Sequence, residues 1–185
     1  QIKQEFGWKQ RYEDKIVMCY AGNLGEAHDE GFLLQLIEWL DPEKFVMILS
    51  LYGSKTNWLL ERVKSKAGVI VVDHVELELV DINVASLLPC WDHVCVPSKV
   101  VSAICAGTPV LYNASEYSEG YCMFPDAVWL IHGADDYSQP IIDFYRLLTR
   151  EMIDRKKQAA IKYAQQLVMV QENAFQEIVQ YCKNI

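Results

Sequence analysis

Short unbroken apolar runs alternate along this chain with longer stretches whose apolar residues recur every three or four positions. A continuous run suits a strand covered on both faces, and spacing of three and four suits a helix packed by one face. The first run, KIVMCYA at 15–21, is broken by Gly22-Asn23-Leu24-Gly25. Phe32, Leu33, Leu36, Ile37 and Leu40 then mark a helix over 32–40, with Asp29 placed to cap it and Asp41-Pro42 to stop it. A second strand is expected at 44–51, a helix at 57–66 closed by Gly68, and a third strand, VIVV, at 69–72. The spacing predicts a helix over 76–88, stopped before Pro89, and a fourth strand within 91–96. Residues 97–113, PSKVVSAICAGTPVLYN, read as a loop, a helix at 100–106, a tight Gly-Thr-Pro turn and a fifth strand at 109–112. Short late strands follow at 121–124 and 128–131. A helix begins at Ser138 and runs over 141–149, a long charged helix covers 150–170, and an amphipathic one covers 172–182.

This order predicts an α/β domain, a doubly wound parallel sheet of five to six strands, Rossmann-like, with a C-terminal helical arm. The domain is assigned to 15–185. Residues 1–14, polar around Phe6, Trp8 and Tyr12, read as a linker entering from a preceding N-terminal domain, and a chain opening on Gln reads as an excised piece.

The chain has 185 residues, 51% of them hydrophobic, which supports a sizeable core and argues against disorder. Its net charge of −8 argues against a nucleic-acid partner, while backbone amides at helix starts still permit an anionic ligand. The six cysteines match no zinc or CxxC spacing. Cys19, Cys95 and Cys105 lie in apolar runs and read as reduced core residues, so the expected location is the cytoplasm. No apolar run approaches a membrane span.

In a parallel α/β sheet ligands bind beyond the carboxyl ends of the strands, and the candidate residues lie there. Gly22, Asn23, Leu24 and Gly25 follow the first strand, where backbone N–H groups at a helix start face a phosphate. The segment is neither G-x-G-x-x-G nor a Walker loop. Lys99 stands in the first turn of a helix, against the helix dipole, which suggests an anionic partner such as a diphosphate. Ser98 is placed to cap that helix, and Ser102 lies one turn further in. Asp73 and His74 end the third strand and are candidates for a base or ribose, or else a capping Asp and a surface His. His28 in the first loop, and Glu116 and Glu119 after the fifth strand, are candidate sugar contacts or solvated loop residues. His93 reads as structural and His132 as a surface residue, and no histidine pair has metal-ligand spacing.

The segments YAGNLGEAHD, PSKVVSAICAGTPVLYN and EGYCMF together resemble the carboxyl-terminal, donor-binding domain of GT-B glycosyltransferases, nearest to family 4 and its capsule and exopolysaccharide relatives. The resemblance implies that the Gly-rich loop lies by a donor diphosphate, that the PS loop and AGTPV unit carry donor contacts, and that the last helix crosses back to an amino-terminal domain holding the acceptor site. It implies a sugar transferred from a UDP- or GDP-sugar to a glycan or lipid-linked acceptor, no cofactor and no metal. Any membrane association would be peripheral and made by the full-length protein. Two departures stand out. Lys99 and Ser102 occupy the places of the family's paired glutamates, and the usual basic pair around the Gly-rich loop is missing. Phosphate neutralisation then falls on backbone amides and Lys99, no residue is assigned a catalytic role, and the 185-residue chain is expected to transfer nothing alone. A sugar-nucleotide epimerase of the same fold, a receiver-like signalling module and a non-catalytic nucleotide-sugar-binding subunit are the alternatives.

Overall fold

The computed structural model describes residues 12–91, 94, 97–132 and 136–183. In chain order these form β1 (Ile16–Asn23), α1 (Glu30–Glu38), β2 (Phe45–Tyr52), α2 (Thr56–Val63), β3 (Val69–Val71) and β4 (Ile82–Ser86). There follow α3 (Ser98–Cys105), β5 (Val110–Asn113), α4 (Glu119–Met123), β6 (Val128–Ile131), α5 (Ser138–Leu147) and α6 (Arg150–Lys183). The strands make one sheet in the order β3-β2-β1-β4-β5-β6, and every neighbouring pair is parallel. The expected Rossmann-like, doubly wound sheet is therefore present. The strand order reverses between β1 and β4, and the crevice outside their carboxyl ends is where this topology places ligands.

Side-chain alternation along the strands loads both faces. Met18 and Tyr20 of β1 join Phe32, Leu33 and Leu36 of α1, Leu59 and Val63 of α2 and Ile141 of α5 in one core. Val17 and Cys19 face the other way, with Val46, Ile48, Val75 and Val80. On that second face Val100, Ala103 and Ile104 of α3 pack with Val110, Tyr112 and Ala160 of α6. Asp29 caps α1 as expected, its carboxylate accepting from the Phe32 N–H at 2.9 Å.

Several elements differ from the sequence expectation. The stretch 76–88 is not a helix: a 3-10 turn at Leu77–Leu79 leads into β4, which is the fourth strand. Asn83 pairs with Cys19 on one side and Val110 on the other, so two ladders override the helical spacing. Of the strand expected at 91–96, Trp91 ends a 3-10 turn, Val94 lies in a turn, and the remaining positions, His93 and Cys95 among them, lie outside the described residues. The segment 121–124 is helical rather than extended, because the Tyr121 and Cys122 N–H groups close back onto the Ser118 carbonyl at 3.0 and 2.9 Å. The two helices expected over 150–182 are one helix of 34 residues, with no Gly or Pro to break it. Its last part projects, with Phe175, Ile178 and Tyr181 more than 60% exposed. Pro97, not Ser98, is the N-cap of α3, and it offers no side-chain cap. Cys19 is buried, but Cys105 is exposed, because it lies on the outward side of α3. Residues 1–11 of the expected linker are outside the described residues.

Candidate functional site

A cleft of about 410 Å³ opens at the carboxyl ends of β1, β2 and β3, beside Asn83 and Val84 of β4 and against the first turn of α3. Of the residues singled out in the sequence, Gly22, Asn23, Asp73, His74, Ser98, Lys99 and Ser102 line it. A smaller cleft of about 200 Å³ adjoins them, lined by Ala27, His28, Ser86, Leu87, Pro97 and, again, Ser98 and Lys99. Lys99 thus borders both spaces. Among the described residues, Asp73 is the one carboxylate that lines either.

The Gly-rich loop is built differently from an open amide cradle. Gly22 and Asn23 still belong to β1. Leu24 is fully buried, and its N–H donates to the Tyr52 carbonyl at 2.6 Å. The Gly25 N–H donates to Nδ1 of His28 at 3.1 Å, and the His28 N–H returns to the Gly25 carbonyl at 3.0 Å. These N–H groups are committed within the protein. Gly22 sits at φ 110°, a backbone conformation that favours glycine, and a Cβ there would make an ordinary contact with Cε of Lys99 at 3.4 Å. Gly53, at φ 115°, lets the turn after β2 close over the loop, since a Cβ would lie 2.8 Å from the Leu24 carbonyl oxygen.

Lys99 comes from the start of α3, where the first backbone N–H groups have no intrahelical acceptor and the dipole is positive. Its Nζ lies 2.9 Å from Nε2 of His28 and 5.3 Å from the centre of the Tyr20 ring. Among the described residues no carboxylate comes within ion-pair distance of it. Burial holds the Lys99 ammonium down to about 8. Burial, and then the Lys99 charge, hold the His28 imidazole down to about 4, against a raising contribution from a hydrogen bond with the Gly25 backbone. The other nearby cation, Lys55, is engaged: it bonds the Glu30 carboxylate at 2.7 Å and the His28 carbonyl at 2.8 Å.

At the opposite end of the larger cleft, the Asp73 carbonyl accepts from Ser50 Oγ at 3.0 Å. His74 is exposed and meets the Glu76 carboxylate at 3.2 Å. Glu116 and Glu119 are exposed on the far side of β5 and line neither cleft. His132 is exposed, as read. Three polar residues lining the larger cleft escaped the sequence reading: Ser50 and Tyr52 at the end of β2, and Asn83 in β4. Tyr52 is 66% exposed at the rim, an aromatic face free to stack on a planar ring. The available signal for it was its place before the Gly53-Ser54 turn at a strand's carboxyl end. Among the described residues, no cluster of His, Cys, Asp or Glu could hold a metal ion, and no helix is long and apolar enough to cross a membrane.

No protein-family model matches the chain, and no curated protein does. Solved structures do match. WaaG, a glycosyltransferase involved in lipopolysaccharide biosynthesis, aligns with a TM-score of 0.65 at 14% identity, over 87% of this chain and 46% of that one. The C-terminal domain of LpcC, a glycosyl transferase group 1 family protein from Francisella tularensis, aligns at 0.61 and 11% identity, over 85% of this chain and 91% of that one. The E. coli trehalose-6-phosphate protein bound with UDP-2-fluoro glucose aligns at 0.62 and 11% identity, over 99% and 47%. The chain spans about half the length of WaaG and of the E. coli protein, and most of the LpcC domain. At these identities the likeness is one of fold. The chain has the Rossmann-like α/β architecture expected for the carboxyl-terminal half of GT-B glycosyltransferases.

Proposed function

We propose that this chain is the donor-binding domain of a nucleotide-sugar-dependent glycosyltransferase of the GT-B type, related to family 4 and its capsule and exopolysaccharide members. The observation that carries the reading is Lys99. It is a cation without a carboxylate partner among the described residues, set at a helix start and facing Gly22 across the crevice where the strand order reverses. Unpaired positive charge there suits a nucleoside diphosphate, with the diphosphate against Lys99, Ser98 and Ser102 and the nucleoside toward Asp73, His74 and Tyr52. The likeness in fold to a protein bound with UDP-2-fluoro glucose supports the same class of ligand. Sugar transfer leaves a diphosphate whose growing charge needs hydrogen-bond donors, and the Ser98 and Lys99 amides at the start of α3 together with the Lys99 side chain supply them. The donor is a UDP- or GDP-sugar, the acceptor a glycan or lipid-linked sugar held by a separate N-terminal domain, and the 185-residue chain alone transfers nothing.

An epimerase would need paired carboxylates for proton transfer, and Asp73 stands alone among the described residues of the two clefts. That scarcity favours, as a second reading, a subunit that binds a nucleotide sugar without catalysing its transfer. A thermal-shift and calorimetric screen with UDP, GDP, their sugars, uridine and guanosine tests the main reading. The diphosphates should raise the melting temperature and the nucleosides should do so much less. No response to any nucleotide overturns it.

A further inference from the structure

His28 and Lys99 are 71 residues apart in sequence, and they present each other with a conflict of donors. Nδ1 of His28 accepts the Gly25 N–H at 3.1 Å, so that nitrogen carries no proton. A neutral imidazole then carries its proton on Nε2, and Nε2 lies 2.9 Å from Nζ of Lys99. An ammonium at Nζ would point a donor at a donor. The contact is a hydrogen bond when Nζ is a neutral amine whose lone pair accepts the Nε2 proton.

The surroundings bring no carboxylate to Nζ among the described residues, although the Tyr20 ring face favours the ammonium. From β1, the Tyr20 ring lies 5.3 Å from Nζ, and Gly22 offers backbone alone. From the loop after β2, Lys55 adds a second positive charge near His28, partly offset by its bond to Glu30. From α3 itself come the hydroxyls of Ser98 and Ser102, and across the cleft stands Asp73, beyond ion-pair distance. Both partners of the pair are displaced toward their neutral forms, chiefly by burial.

We propose that His28 is a positioning residue that holds Lys99 as a neutral amine in alkaline solution when no anion is bound, favouring that form over the ammonium, and releases it, with uptake of one proton from solvent, to a polyanion in the cleft. The proton adds to Nζ, the Nε2–H···Nζ bond breaks, and the ammonium formed donates to the anion. Imidazole stays neutral throughout, with its proton on Nε2. The polyanion being a nucleoside diphosphate rests on the donor-binding reading above; the parked pair does not.

Two measurements on the 185-residue chain separate these. The first follows the lysine side chains by ¹⁵N NMR against pH, with Lys99 assigned by the signal lost in Lys99→Arg. In the wild type Lys99 should titrate near 8, and in His28→Gln, whose side-chain carbonyl can accept from an ammonium, its midpoint should rise by about one pH unit or more. An ordinary lysine midpoint in the wild type, or one unmoved in His28→Gln, overturns the proposal. The second is calorimetry with pyrophosphate and with UDP at pH 9 in buffers of different ionisation enthalpy. The wild type should take up close to one proton per anion, and Lys99→Arg, charged throughout, should take up none. Binding to the wild type without proton uptake overturns the proposal. If neither anion binds, the donor-binding reading fails, and the NMR titration decides the parked pair by itself.

Discussion

Tyr137 donates a 2.6 Å hydrogen bond to the carboxylate of Asp29, 108 residues earlier in the chain. The same carboxylate oxygen accepts from Asn113 Nδ2 at 3.3 Å, while the other oxygen caps α1 at the Phe32 N–H. The Asp29 N–H in turn donates to Ser86 Oγ at 3.3 Å. One residue, by its side chain and its backbone N–H, therefore ties the loop carrying His28 to the ends of β4 and β5 and to the start of α5. Asn113 and Tyr137 are both under 10% exposed, so removing the carboxylate takes a buried acceptor from each, although the 3.3 Å bond between them remains. Asp29→Ala should lower the unfolding free energy by about 2–4 kcal/mol, read by urea denaturation, the lost cap adding to the lost network. Tyr137→Phe should cost about 1 kcal/mol, because the cap survives. Equal losses in the two variants would mean that the cap contributes nothing.

Gly22 is the second sensitive point of that loop. At φ 110° it occupies backbone space that residues with a side chain rarely adopt, and its missing Cβ faces the stem of Lys99. Gly22→Ala should destabilise the fold by about 1–3 kcal/mol. The new methyl would meet the Lys99 stem at 3.4 Å, an ordinary contact, so diphosphate binding should be little changed once the variant is folded. Calorimetry at a temperature where the variant is fully folded checks this. A large loss of affinity there would show that the backbone strain at Gly22 shifts the site itself.

Most of the sheet was legible because parallel strands buried on both faces are written as unbroken apolar runs, as at 15–21, 44–51 and 128–131. β4 was not, because INVAS carries Asn83 and Ser86 and sits in a stretch with helical spacing. Both polar residues are there for tertiary reasons: Asn83 Nδ2 reaches the Leu77 carbonyl at 3.4 Å, and Ser86 Oγ takes the Asp29 N–H. Asp73 and His74 at a strand end, and Lys99 at a helix start, could be found from position alone, since the topology gathers strand ends and the helix starts that follow them. The His28–Lys99 contact could not. It depends on which way a loop folds after β1 and on a ring rotated so that one nitrogen meets Gly25, and neither leaves a local sequence pattern. The single helix α6 was misread as two because its apolar stripe pauses at Gln171-Glu172-Asn173, a pause that breaks no backbone hydrogen bond.

Truncating Lys99 separates the two ends of the cleft. The lysine borders both spaces, while Tyr52, Asp73 and His74 lie at the other end of the larger one. Lys99→Ala should weaken UDP or GDP by about 10- to 100-fold, the scale of one charge-assisted hydrogen bond in a partly buried site. Uridine or guanosine binding should be little changed. Equal loss of nucleotide and nucleoside affinity would put Lys99 beside the base instead. Because a burial-depressed ammonium is lost above about pH 8, nucleotide affinity in the wild type should also fall as pH rises past that point.

The depressed His28 imidazole makes a prediction about stability in acid. An unfolded histidine takes up a proton near pH 6.5, while folded His28 resists until about 4. Between those values the unfolded chain binds more protons, so stability falls as pH drops from about 6.5 to 4 and this contribution stops changing below. Lys99, held down to about 8, acts by the same sign in a separate alkaline window, between its ordinary value and 8. Carboxylates contribute to acid unfolding as well, so the useful quantity is a difference between two proteins. In His28→Gln the fall in unfolding free energy between pH 6.5 and 4 should be shallower than in the wild type, measured by urea denaturation at each pH. Parallel curves for the two proteins would show that folded His28 takes its proton as readily as an exposed one, and would remove the neutral imidazole on which the parked lysine depends.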